Sequence, residues 1–340
     1  MEIKELLGRV VSGRDLIQDE ARWMMDRIMS GEMSQAQIGA YLTALRMKGE
    51  SVEEIAGSAM TMRAKATRVE ASGVVIDTCG TGGDGLGTFN ISTTVAFVVA
   101  ACGVTVAKHG NRAISSKSGS ADLLAALGVK IDLEPAGVER CLREVGIGFL
   151  FAPRHHGAMR HAMAPRQELG FRTLFNLLGP LTNPAGARQQ LLGVFDGRWV
   201  EPLARALGML GSHRAMVVHG ADGLDEITTT TSSRVAELHP DGSVSCYDLH
   251  PETLGMDLAT PAMLAGGDAA DNAALTRRIL AGEAGPPRDI VLLNAGAALK
   301  VAGVADSVAA GMVLAACAVD QGAAQERLDR LIHLSNSLTA

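Results

Sequence analysis

The chain has 340 residues, 47% hydrophobic and 20% charged, with 39 glycines but only two tryptophans and two tyrosines. That length suits one large domain or two with separate cores, and a core so poor in aromatics must be built from Ala, Val, Leu, Ile and Met. The net charge of −6 argues against a nucleic-acid or anionic-membrane surface, but not against small anions held by local dipoles and a few cations.

Residues 1–67 read as helices only. Ser34 stands three before Gln37 and Ser51 three before Glu54, each a capping-box spacing ahead of an apolar-periodic run. Gly31 and Gly49 sit where the preceding helices should stop. Ala21, Met24, Met25 and Ile28 fall on one stripe, and Ile38, Tyr41, Leu42 and Leu45 on another, so a small helical bundle is expected.

From residue 74 the pattern changes. An apolar strand over 74–78 leads into a glycine loop and a helix over 92–101; a second strand over 104–107 leads into a polar loop and a helix through 123–127. Further strands are expected over 148–151, 191–195, 215–219 and 290–293, with helices between them, and this alternation implies a largely parallel sheet covered on both faces. Residues 234–238 and 244–247 flank Pro240-Asp241-Gly242 and read as a hairpin added at an edge. The segment 166–186 reads as short helices that fold back onto the first bundle. The expected domains are therefore a helical one over 1–67 and an α/β one over 68–340.

Five cysteines without a CxxC spacing, an N-terminus unlike a signal peptide and a most apolar stretch (93–107) too short for a bilayer lead to the expectation of a soluble, cytoplasmic protein with reduced thiols.

In open α/β sheets ligands bind beyond the carboxyl ends of the strands, so the loops there are where chemistry is expected. The first runs GTGGDGLGTFNISTT over 80–94. Glycines let successive N–H groups face one ligand, and a helix N-terminus adds the positive end of its dipole. Gly80, Gly82 and Gly85 also satisfy the weak dinucleotide spacing GxGxxG. A dehydrogenase, however, would place an acid near the end of the second strand, and here Lys108 stands there. The second loop, KHGNRAISSKSGSAD over 108–122, carries three cations and four serines; alone it reads as a solvated loop, but facing the first it makes an anion cradle. After a later strand, Asp225 and Glu226 suit Mg²⁺, which takes one or two carboxylates plus water and phosphate oxygens. His155, His156 and His161 among Arg154, Arg160 and Arg166 lack a zinc spacing; an arginine fork binding a carboxylate suits that stretch better.

Taken in order, these three motifs and RTLFNLLGPLTNPA over 172–185 closely resemble the anthranilate phosphoribosyltransferase family. The resemblance implies an α/β fold of the nucleoside phosphorylase and phosphoribosyltransferase type. It has a small N-terminal helical domain that forms a homodimer, and a larger domain with a mostly parallel central sheet. It also implies transfer of phosphoribose from phosphoribosyl diphosphate to the amine of anthranilate in tryptophan biosynthesis. Carried over motif by motif, the sugar diphosphate would contact Gly80, Gly83, Asp84, Thr88, Asn90, Ile91, Ser92 and Thr93. Lys108, His109, Gly110, Asn111, Arg112, Ala113, Ile114, Ser115, Ser116 and Ser120 would complete its cradle. Anthranilate would lie near Gly80, Asn111 and Arg166, with Lys108, Asn111 and Arg166 carrying the catalysis. Mg²⁺ would be held by Ser92, Asp225 and Glu226. The rival expectations are a pyrimidine nucleoside phosphorylase, which would not need the paired acids, and a non-catalytic relative that binds nucleic acid.

Overall fold

The structure is a computed structural model that describes residues 1–113 and 117–338. Its N-terminal part is four helices, α1 (Ile3–Val11), α2 (Gln18–Met29), α3 (Gln35–Lys48) and α4 (Val52–Lys65). Both capping boxes form. The Ser34 hydroxyl accepts from Gln37 N at 3.2 Å and the Gln37 side chain from Ser34 N at 2.9 Å; Ser51 and Glu54 do the same at 3.2 and 2.8 Å. Gly31 and Gly49 take φ of +74° and +90°, which a side chain would disfavour. Both predicted stripes are buried.

The second part alternates strand and helix: β1 (Val75–Gly80), α5 (Ile91–Ala101), β2 (Thr105–Gly110), α6 (Ser120–Ala126), α7 (Pro135–Val145) and β3 (Ile147–Phe151). The chain then leaves the sheet for α8 (Ala152–His155), α9 (Arg160–Leu169) and α10 (Leu174–Leu178). It returns through β4 (Gln189–Gly193), α11 (Val200–Met209) and β5 (Arg214–Gly220), followed by the hairpin β6 (Ser233–Leu238) and β7 (Val244–Leu249). Four helices close the chain: α12 (Ala269–Leu280), α13 (Pro286–Val301), α14 (Val308–Asp320) and α15 (Ala323–Ser337). The sheet order is β3-β2-β1-β4-β5-β6-β7, parallel as far as β5 and antiparallel through the hairpin at the edge.

Alternation along the strands decides which layer each residue joins. On β5, Met216 and Val218 enter a core shared with α5 and α13, while Ala215 and Val217 enter a second core with the bundle, α10 and α11. Both α9 and α10 pack against helices of the bundle.

One expected strand is not a strand. Residues 290–293 lie inside α13, where Ile290, Val291 and Leu293 are all buried. A helix enclosed on nearly every side carries apolar residues all round, so a four-residue window of it cannot be told from a buried strand. Pro286 and Pro287 at its first turn were the missed signal.

Candidate active site

Strand order places a crevice at one point. From β1 the chain winds outward through β2 to β3, and β4 and β5 then extend the sheet on the other side of β1. Loops leaving β1 and β4 diverge there, and that is where open α/β sheets take their ligands.

The loop from β1 is shaped by glycine. Gly82, Gly83, Gly85 and Gly87 have φ between +66° and +78°, a region L side chains avoid. Its far end is propped by the segment after β7: Thr88 bridges Ala265, and Gly266 N donates to the Gly87 carbonyl at 2.8 Å. The chain then enters α5 at Asn90. Ile91 and Thr93 are buried, so they can offer a ligand their backbone more than their side chains. Ser92 is half-buried at the helix N-terminus.

Across the crevice, the loop from β5 reaches over β4 to this same place. A Cβ on Gly193 would overlap the Asp225 carbonyl, and one on Gly80 would overlap the Asp225 carboxylate. Both glycines therefore clear the path by which the acids arrive. Gly82 N donates to Asp225 Oδ2 at 2.8 Å and Ser92 N to Glu226 Oε1 at 3.0 Å. Burial raises the proton affinity of both acids, and repulsion between carboxylates adds to it: Asp84 acts on Asp225, and Asp225 on Glu226, with Lys108 pulling Glu226 the other way. Among the described residues neither acid has a Lys, Arg or His nitrogen within ion-pair distance, and Lys108 acts on Glu226 from further away. Among the described residues no three acidic, His or Cys side chains form a self-sufficient metal cage. Two crowded carboxylates, only one of them opposed by Lys108, are chemically suited to a Mg²⁺ ion that completes its shell with water and phosphate oxygens.

Lys108 lies beneath this pair, 3% exposed. Its ammonium donates to the Thr78 carbonyl at 2.5 Å and sits 3.4 Å from the Ser92 hydroxyl. The charge thus acts on the crevice from below, through Ser92, and is not a free arm in solvent.

The loop from β2 is closed on itself by Asp122, whose carboxylate accepts from Ala113 N at 2.9 Å, Gly119 N at 3.0 Å and Arg112 at 2.9 Å. Arg112 is consequently a paired cation. Ser120 donates to the Asn111 carbonyl at 3.2 Å, and a Cβ on Gly110 would collide with the Ser120 hydroxyl. Asn90 ties this loop to the first, donating to the Ser118 carbonyl at 3.0 Å and accepting from Asn272 at 3.0 Å. The expected contacts Ile114, Ser115 and Ser116 lie outside the described residues.

His109 faces inward. Its Nε2 lies 3.2 Å from Nε2 of His156, so one ring donates and the other accepts. Burial, then His156, lowers the His109 pKa well below the ordinary value, and burial and His155 bring His156 to about 4, leaving two neutral imidazoles near pH 7. His155 is tethered to the Thr67 carbonyl at 2.9 Å. Beneath them, buried Asp77 accepts from His109 N at 3.2 Å and from Asn183 at 2.7 Å.

Arg166 stands on α9, half-buried, its guanidinium 5.0 Å from the Phe175 ring centroid. It has no acidic partner among the described residues, and burial lowers its pKa. It makes no hydrogen bond to the described residues of the β1 or β2 loops. Arg172, the first residue of RTLFNLLGPLTNPA but not expected at the site from the sequence, donates to the Gly83 carbonyl and lies 4.0 Å from the Phe195 ring centroid. His156 as the partner of His109, and Asn272 as the partner of Asn90, were missed as well, because their contacts join distant parts of the chain.

The chain matches the family model of the glycosyl transferase family, helical bundle domain, over residues 4–66, and that of the glycosyl transferase family, a/b domain, over residues 72–325. Anthranilate phosphoribosyltransferase of Desulfatibacillum aliphaticivorans is 56% identical, over 96% of this chain and 97% of its own. Among solved structures, anthranilate phosphoribosyltransferase from Thermus thermophilus superposes with a TM-score of 0.92 at 45% identity, covering 97% of this chain and 99% of that one. That of Saccharomyces cerevisiae, in complex with PRPP and Mg, gives 0.90 at 26% identity, covering 99% and 98%.

Proposed function

The chain belongs to the anthranilate phosphoribosyltransferase family, and from that premise we propose which of its residues carry the reaction. The 5-phosphoribosyl group passes from phosphoribosyl diphosphate to the amine of anthranilate, and diphosphate leaves. The diphosphate lies along the loop from β1, where the N–H groups of the glycine turn from Gly83 to Gly85 and the dipole at the N-terminus of α5 face its oxygens. The described residues of the loop from β2, 108–113 and 117–120, bind the ribose phosphate. Ser92, Asp225 and Glu226 are the residues that hold Mg²⁺, which when bound offsets the charge of the diphosphate oxygens.

Anthranilate enters from the α9 side. Arg166, without a carboxylate of its own, binds the anthranilate carboxylate, and Asn111 orients the ring against Gly80. An aromatic amine is already unprotonated at neutral pH, so the attack needs no strong base. As the bond to the leaving oxygen lengthens, charge grows on the diphosphate next to loop N–H groups and the helix end that are already in place, with the charge of buried Lys108 acting from below through Ser92. Neither a pyrimidine nucleoside phosphorylase nor a nucleic-acid-binding relative is favoured by these relatives. We further propose that residues 1–67 form a domain that pairs two copies of the chain, and that the enzyme works in the cytoplasm.

The observation that carries this assignment is the meeting of Gly82 N and Ser92 N with Asp225 and Glu226, which joins the anion loop to the acid loop. The test is the fluorescence of anthranilate mixed with the purified chain: it should disappear only when phosphoribosyl diphosphate and Mg²⁺ are both added. Persistence of the signal with all components present would sink the proposal.

A further inference from the structure

Asn294 sits in the middle of α13 with no exposed surface. Its Oδ1 accepts from Ile227 N at 3.0 Å, while its Nδ2 donates to the Ile227 carbonyl at 2.8 Å and to the Ile290 carbonyl at 2.9 Å. Bonding both the N–H and the C=O of one residue is what a neighbouring strand does. Here β5 has already ended at Gly220, and a side chain takes the strand's place.

Ile227 directly follows Glu226. On the other side of the acids, Asp222 accepts from Leu224 N at 3.1 Å and from the hydroxyls of Thr228 at 2.7 Å and Thr230 at 2.5 Å. The backbone bearing Asp225 and Glu226 is thus clamped before and after the pair. A clamp matters here because Asp225 is crowded by Asp84 on one side and Glu226 on the other, and a free loop would relieve that repulsion by swinging an acid into water.

We propose that Asn294 is a positioning residue for the metal-binding acids: its amide fixes the backbone of Ile227 so that Asp225 and Glu226 converge on one ion. This rests on the assignment of Mg²⁺ to that pair. Outer partners of metal ligands change affinity by roughly 10- to 100-fold when removed, and an effect of that size is expected of Asn294→Ala.

The experiment titrates Mn²⁺ into the full chain with phosphoribosyl diphosphate, reading free ion by its paramagnetic resonance signal against a blank without protein. Half-activating Mg²⁺ and the KM for anthranilate are measured in parallel. Asn294→Ala should weaken Mn²⁺ binding at least about tenfold and raise half-activating Mg²⁺ to match, with the anthranilate KM nearly unchanged. Asn294→Asp keeps an acceptor for Ile227 N and should lie between; it also decides the matter if the alanine variant does not fold. Ser335→Ala removes a buried polar group elsewhere, a hydroxyl that accepts from Lys130 N at 3.1 Å, and should leave Mn²⁺ binding alone. Asp225→Asn with Glu226→Gln tests the underlying assignment: if that double variant binds Mn²⁺ like the parent, the metal site lies elsewhere and the inference goes with it. If the double variant loses Mn²⁺ while both Asn294 variants bind it as the parent does, Asn294 is a packing residue and the inference is overturned.

Discussion

In the helical bundle, the bonds that begin α3 and α4 join residues three apart, Ser34 with Gln37 and Ser51 with Glu54. At the carboxyl ends of the strands, Gly82 meets Asp225 from 143 residues away and Ser92 meets Glu226 from 134. The bundle is assembled from pieces that each specify themselves. The crevice exists only when β1, β4 and β5 are already side by side, and it depends on places where a side chain is missing. A single change should therefore cost the bundle stability without chemistry, and cost the crevice chemistry out of proportion to stability.

The largest effect should come from Gly193→Ala. Its new Cβ overlaps the Asp225 carbonyl, so the acid loop must move away from the glycine loop. A misplacement of about 1 Å costs on the order of a hundredfold in rate, and a loss of that size or more in kcat/KM for phosphoribosyl diphosphate is expected from steady-state kinetics. Near-normal kinetics would show that the acids need not cross β4 so closely.

Arg166→Ala should come next, and it separates the two substrates. A hydrogen bond to a charged group contributes roughly 1.5–3 kcal/mol, so the KM for anthranilate should rise about ten- to a hundredfold, with that for phosphoribosyl diphosphate little changed. Circular dichroism must first show the variant folded, because Arg166 also lies against Phe175. A rise confined to the diphosphate substrate would move Arg166 into the phosphate cradle.

The smallest effect is expected of Ser34→Ala. It removes one local cap and should cost about 1 kcal/mol in denaturant unfolding, with both KM values and kcat as in the parent. A kinetic change of several-fold would mean that the bundle and the crevice are energetically coupled.

The same contrast explains what could be seen in the sequence. Caps, stripes and the β-to-α alternation are local patterns, so the bundle, the parallel strands and the edge hairpin are legible in the sequence alone. The strand expected at 290–293 failed because burial on all sides erases the helical period, and α13 is such a helix. The glycine and hydroxyl loops announced themselves by composition. Their supports did not: Asn294 reads as an ordinary helix interior residue, Asn272 as one polar residue near a helix start, and His156 as one of several histidines in a basic run. Each acquires its meaning from a partner that the fold brings from elsewhere. Lys108 was legible as a cation at the right strand end, but not as one buried beneath Ser92.

The most direct test of the account is the half-activating Mg²⁺ concentration, measured from about pH 6 to about pH 8.5 for the parent and for Asp225→Asn with Glu226→Gln. Burial and mutual repulsion raise the pKa of both acids above the usual carboxylate range, toward neutrality. Metal binding requires the ionised form, so protons compete with Mg²⁺ at the acid end, and affinity should strengthen as pH rises through that range. The double variant should keep only the gentler slope that comes from titration of the diphosphate substrate itself. A parent whose Mg²⁺ requirement follows the same slope as the double variant would contradict the assignment of the metal to Asp225 and Glu226.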